Sequence, residues 1–152
     1  MRHAALSIAL FLTLQIPALP ADASKADREG VRAAVEDYLE ALYSVDASRI
    51  ERSVHPELNK RGLYRSKIDQ PYKEDKMTYE ELKKLAATWN KDGKRVKPDS
   101  PREIILLEVS DVTAVAKLKA VWGFDLMTLG KFDGKWKILQ VLYQSYPSGK
   151  PE

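Results

Sequence analysis

Apolar residues recur along this chain with two different periods. From about Asp27 to Tyr43, Val31, Val35, Tyr38, Leu39 and Leu42 fall three and four apart, with Arg32, Glu36 and Glu40 on the other side. That is one buried face of a helix. Ser44 to Asp46 interrupts it. Ser48 opens a second, short helix, with Glu51 three residues on as a capping box and Ile50 and Val54 as its apolar stripe. Pro56 disfavours helical geometry at His55, so this helix is expected to end at or just before it. Thr78 begins a third helix, again boxed by Glu81, with Leu82, Leu85, Ala86 and Trp89 along one face.

From Glu103 the period becomes two. Ile104 to Val109 reads as a buried strand and Ser110-Asp111 as a turn. Ala114, Ala116, Leu118 and Ala120 alternate with Val115, Lys117, Lys119 and Val121. A turn near Trp122-Gly123 leads to a strand over Phe124 to Phe132, and Asp133-Gly134 turns it back into Trp136 to Tyr143. Short turns require antiparallel neighbours, which predicts a meander of about four strands. Trp136, Ile138 and Leu142 are the expected inward positions of the last strand. Asn59 to Met77 shows neither period and reads as loop with a short strand near Leu63 to Ser66. Asn90 to Pro101 reads as an exposed polar loop. Helices followed by such a sheet make an α+β domain with helices on one face.

At 152 residues the chain suits one domain, 24–152, with an ordered core at about 27–146. Met1 to Ala23 has the form of a secretory signal. Arg2 gives the positive start, Ala4 to Ile16 is a nearly unbroken apolar run, Pro17 and Pro20 break it, and Ala21-Asp22-Ala23 is a small-x-small cleavage site. An uncleaved N-terminal anchor is the competing form. The expectation is a secreted or periplasmic protein with no stable membrane anchor after cleavage. The 25 basic and 22 acidic residues leave a net charge of +3, which gives no indication of a nucleic-acid partner. Cysteine is absent, so thiol catalysis, disulfides and a lipidated cysteine are excluded. The two histidines, His3 and His55, argue against a histidine-based metal site. No phosphate loop, Ser-His-Asp arrangement or metal spacing occurs, and no cofactor is implied.

The order of elements resembles the nuclear transport factor 2-like superfamily, and within it the putative lumazine-binding family. The resemblance rests on His55-Pro56-Glu57-Leu58 with Arg61-Gly62, on Phe124-Asp125-Leu126-Met127-Thr128-Leu129, and on Asp133-Gly134-Lys135-Trp136-Lys137-Ile138. It implies a cone-shaped α+β fold, with three N-terminal helices packed on a strongly bent antiparallel sheet around a cavity. It also implies a homodimer formed through the sheet. The superfamily hosts isomerases, dehydratases and cyclases as well as non-catalytic domains, so fold alone leaves function open.

Two side chains are candidates for acid–base chemistry. His55 is the residue type most often used as a general acid or base; the competing role is a helix terminator. Asp125 shares a face with Met127 and Leu129 on strict alternation, and a carboxylate facing an apolar cavity could act as acid or base. Its alternative is an exposed residue beside the Gly123 turn. Tyr64, Trp89 and Trp122, with Asp125 and His55, are the candidate ligand-contacting residues for a small apolar or aromatic ligand. Core packing is the stronger role for Trp89 and Trp136, which fit an element's buried period, and also the role of Tyr38; Trp122 and Tyr64 are the better contact candidates. Lys91, Lys94, Arg95 and Lys97 read as a solvated loop beside Asp92 and Asp99. The leading expectation is an exported ligand-binding or accessory domain without catalysis. The alternative is an isomerase-, dehydratase- or cyclase-like enzyme using Asp125 and His55. A third is an accessory protein that binds another exported protein through an apolar patch. A binding role asks for a cavity of roughly 300 Å³ or more.

Overall fold

The computed structural model describes residues 23–147. Apart from Ala23, the signal-like segment lies outside them. Helix α1 spans Lys25–Tyr43, two residues earlier than its apolar period. Ser24 starts it, its side chain accepting the Asp27 N–H. The predicted face is the buried one: Val31, Val35, Tyr38, Leu39 and Leu42 all lie in the core. Helix α2 spans Ser48–Ser53. The Ser48–Glu51 box expected there does not form. Asp46 instead accepts the Ser48 N–H at 3.0 Å and hydroxyl at 2.6 Å, because the carboxylate two residues upstream reaches both donors. Helix α3 spans Tyr79–Ala86, and its Thr78–Glu81 capping box is present.

Six strands follow or interleave: β1 Val54–Tyr64, β2 Lys73–Met77, β3 Glu103–Val109, β4 Thr113–Ala120, β5 Gly123–Phe132 and β6 Lys135–Ser145. They form one open sheet in the order β2-β1-β6-β5-β4-β3. All neighbours are antiparallel except β1 and β6, which run parallel. The four-stranded, wholly antiparallel meander is therefore extended by β1 and β2 from the segment read as irregular. They escape the period-two test because β1 turns Lys60 and Gly62 inward, while β2 is an exposed charged edge strand. Charge on such an edge blocks further pairing. Helix α2 ends at Ser53, just before His55 as expected, and His55 is the second residue of the strand that follows directly. Pro56 is tolerated because pairing with β6 is interrupted between Val54 and Asn59.

Two further corrections concern burial. Strand β3 is the other edge, with Ile105 and Leu107 exposed rather than buried. In β6 the register shifts where Thr128 pairs with Gln140 but Leu129 with Ile138, leaving Leu139 as a bulge. A bulge inserts one residue and flips the faces beyond it. Trp136 and Ile138 point inward as expected, but Val141 takes the next inward position and Leu142 faces out, 47% exposed.

The helices pack on one face of the sheet, α1 against β3, β4 and β6, and α3 against β1. The small residues Ala114, Ala116 and Ala120 of β4 are buried under α1. At the β5–β6 turn, Asp133 and Gly134 both take positive φ, 49° and 76°, as a two-residue hairpin requires.

Candidate functional site

The inner face of the sheet is laid out by its register. One row across the strands reads Leu118, Asp125, Tyr143, Gly62 and Asp75. The next reads Ala116, Met127, Val141, Lys60 and Met77. Lys60 on β1 and Asp125 on β5 thus sit two strands apart, separated by β6. A lysine stem is long enough to cross that gap. Its Nζ lies 3.4 Å from Asp125 Oδ1 and donates to the Tyr38 hydroxyl at 2.8 Å. Asp125 is fully buried and the Lys60 side chain only 10% exposed. Trp122 Nε1 donates to the other carboxylate oxygen at 2.6 Å. The Lys60 ammonium also faces the rings of Tyr38 and Tyr143, each 5.5 Å from the centroid. Gly62 permits this arrangement, since a Cβ there would meet the Tyr143 ring at 2.9 Å.

Burial alone would lower the Lys60 ammonium, but Tyr38 and the Asp125 carboxylate reverse that and hold it above its ordinary value. Burial, aided by the Asp125 charge, pushes the Tyr38 hydroxyl far above the usual tyrosine range. The same two causes raise Tyr143. At neutral pH the cluster is therefore an ammonium and two phenols around a buried aspartate. A raised ammonium is protonated, so Lys60 is a hydrogen-bond donor and not a nucleophile.

Above this cluster is a half-open cavity of about 160 Å³, bounded by Tyr38, Lys60, Met77, Leu85, Trp89 and Trp122 among others. Its lining is mostly apolar. The volume is about half of that expected for a binding domain. It remains on the scale of the ~150 Å³ cavity that accepts a benzene ring. Its wall is braced by a triad of rings. Trp89 and Trp122 meet edge to face at 5.2 Å, Tyr43 meets Trp122 edge to face at 5.6 Å, and Tyr43 stacks on Trp89 at 6.4 Å. The Tyr43 hydroxyl accepts the Val121 N–H and donates to the Pro101 carbonyl, tying α1 to the Trp122 turn. Asn90 donates to the Tyr43 carbonyl at 2.9 Å and accepts the Arg95 N–H, which anchors the polar loop beneath Trp89.

Of the candidates read from sequence, Trp89 and Trp122 line this cavity, and Asp125 lies directly behind its Lys60 wall. Strict alternation had grouped Asp125 with Met127 and Leu129, and all three are buried. Tyr64 is half-buried at the far end of β1, paired with Lys73, outside the cavity lining. His55 is at the opposite end of β1. Its ring lies 4.7 Å from Phe132, and its Nδ1 accepts the Glu57 N–H. Phe132 is seven positions beyond Asp125 on β5, roughly 23 Å of extended strand. His55 and Asp125 are not brought together, so the pair has no geometry for joint acid–base chemistry. Lys60 and Tyr143 were not among the sequence candidates. Among the described residues, no group of acidic or histidine side chains is arranged to hold a metal.

The family model described as "Putative lumazine-binding" matches residues 26–144. No curated protein matches the chain. Solved structures agree in fold. A nuclear transport factor 2-like protein of unknown function from Methylobacillus flagellatus KT superimposes with a TM-score of 0.62 at 19% identity, covering 85% of this chain and 99% of that one. A second, from Silicibacter pomeroyi DSS-3, gives 0.57 at 16% identity, covering 76% and 92%. A protein of unknown function with a cystatin-like fold from Nostoc punctiforme PCC 73102 gives 0.58 at 13% identity, covering 84% and 96%. The helices on one face of an open, mostly antiparallel sheet are those of the nuclear transport factor 2-like fold, and the chain belongs to the putative lumazine-binding family.

Proposed function

We propose that this protein is an exported small-ligand-binding domain without catalysis, and that its ligand enters the cavity between α3, β1 and the Trp122 turn. The observation that carries this reading is a half-open, mostly apolar cavity with a single buried ammonium in its wall. Apolar lining with a few fixed polar groups is the usual composition of a ligand site. The volume favours a molecule with one ring or a short chain. Native mass spectrometry of the protein from its source cells tests this. The expected spectrum contains the chain plus a small-molecule adduct that leaves on activation. Bare chain alone, even under the gentlest desolvation, would count against the reading.

Export rests on the Met1 to Ala23 pattern. N-terminal sequencing of protein from the extracellular or periplasmic fraction should begin at Ser24, and a sequence beginning at Met1 would overturn cleavage. A homodimer through the outer sheet face is supported by Leu126 and Leu142, which pair across β5 and β6 and are 45% and 47% exposed. Leu126→Arg should convert a dimer to a monomer in sedimentation equilibrium. A monomeric parent protein would remove this part of the proposal.

A further inference from the structure

The charge arrangement behind the cavity restricts the kind of ligand it can hold. Lys60 and Asp125 form a balanced buried pair, and both carboxylate oxygens are engaged, by Lys60 and by Trp122. Asp125 is not part of the cavity lining, whereas Lys60 is. An ammonium has three N–H donors. Two of them serve Tyr38 and Asp125, which leaves one for the cavity. The other charged residues of the lining, Asp75 and Lys76, stand exposed at its mouth, where solvent screens them.

We infer that the cavity selects an uncharged ligand of about one ring that presents a carbonyl-type oxygen to Lys60. This deepens the ligand-binding reading and rests on it. A neutral carbonyl accepts a charge-assisted hydrogen bond without disturbing the pair. A carboxylate would share one buried ammonium with Asp125, leaving an excess negative charge out of water. A cation would face the ammonium directly, with both oxygens of the buried Asp125 carboxylate already taken. A pure hydrocarbon would cover the third N–H without offering it an acceptor.

Four probes of nearly the same shape separate these cases: acetophenone, benzoate, benzamidinium and isopropylbenzene. Binding is read from the indole N–H resonances of the full mature chain. Trp89 and Trp122 line the cavity, while Trp136 bonds Asp27 elsewhere and serves as an internal control. Acetophenone should shift the two cavity indoles saturably and bind about tenfold or more tighter than each of the others, the worth of one hydrogen bond to a charged group. Lys60→Met should erase its advantage over isopropylbenzene. Should that variant not fold, the ranking on the unaltered protein decides alone. Benzoate or benzamidinium binding as tightly as acetophenone overturns the charge argument but leaves the cavity a ligand site. Equal binding of isopropylbenzene removes Lys60 from recognition. No shift with any probe overturns the ligand-site reading itself, and this inference with it.

Discussion

Replacing Lys60 with methionine should be among the most damaging single changes in the core. The stem is nearly conserved in volume, so little cavity is created. What is lost is the cation beside Asp125, a carboxylate with no exposure to solvent. Removing one partner of a buried ion pair costs about 3–5 kcal/mol, because the other charge stays desolvated. A domain of this kind has roughly 5–15 kcal/mol in total. The melting temperature should fall by about 10–20 °C on the usual scaling for this size. Adding Asp125→Asn to Lys60→Met removes the orphaned charge while keeping an oxygen that can accept the Trp122 indole. The double variant should therefore be no less stable than Lys60→Met alone, giving a strongly non-additive cycle. Urea unfolding of the four proteins at neutral pH measures it. A loss below about 1 kcal/mol for Lys60→Met, or a double-variant loss equal to the sum of the singles, would refute a dry, coupled pair.

The same cluster predicts alkaline lability. Above their ordinary values of 10.0 for tyrosine and 10.5 for lysine, Tyr38 and Lys60 lose protons in the unfolded chain while the folded chain retains them. The folded state then binds more protons, so stability is complete below about pH 10 and falls above it, by about 1.4 kcal/mol per pH unit for each group. A urea midpoint that stays constant from pH 9 to about pH 11.5 would contradict this. Trp122→Phe keeps a ring in the triad but leaves an Asp125 oxygen without its indole donor, and should cost about 1–3 kcal/mol in chemical unfolding. Recovery of full stability in that variant would mean water replaces the indole. Gly123→Ala should cost more than about 2 kcal/mol, since its φ of 143° disfavours a side chain and the new Cβ would lie 2.0 Å from the Gln144 carbonyl oxygen. A normal melt for that variant would show that the start of β5 can shift.

Much of this fold is legible in sequence because its long elements obey one period each. The α1 face, the α3 box and the β4–β5 alternation follow from residue spacing alone. The failures have common physical causes. Strand β1 hides because its inward row is not apolar: Lys60 fills a core position by pairing, and Gly62 fills one by making room for Tyr143. Strand β2 hides because an edge strand is protected by charge, which is the composition of a loop. Period two places Leu142 inward because it has no way to show an extra residue at Leu139. The Ser48–Glu51 box fails because Asp46, two residues before Ser48, takes the Ser48 N–H and hydroxyl.

The site divides along the same line. Asp125 was found because an acidic residue in an apolar alternation stands out, and Trp122 because a turn tryptophan lacks a core explanation. Lys60 did not stand out, since a lysine in an unassigned segment looks solvated. Yet a buried aspartate on β5 requires compensation, and the cheapest source is a cation on the same sheet face. Once β1 is assigned as a strand beside β6, its inward positions near the Asp125 row are Lys60 and Gly62, and only one of them carries charge. The partner of Asp125 could thus have been named from register alone. His55, the more familiar catalytic residue type, sits in the same strand but at its start, where pairing with β6 is irregular and Phe132 covers its ring. The cavity wall thus presents the Lys60 ammonium among aromatic and aliphatic side chains. That is the arrangement the proposed carbonyl ligand requires: a fixed donor whose counter-charge, Asp125, is already bonded.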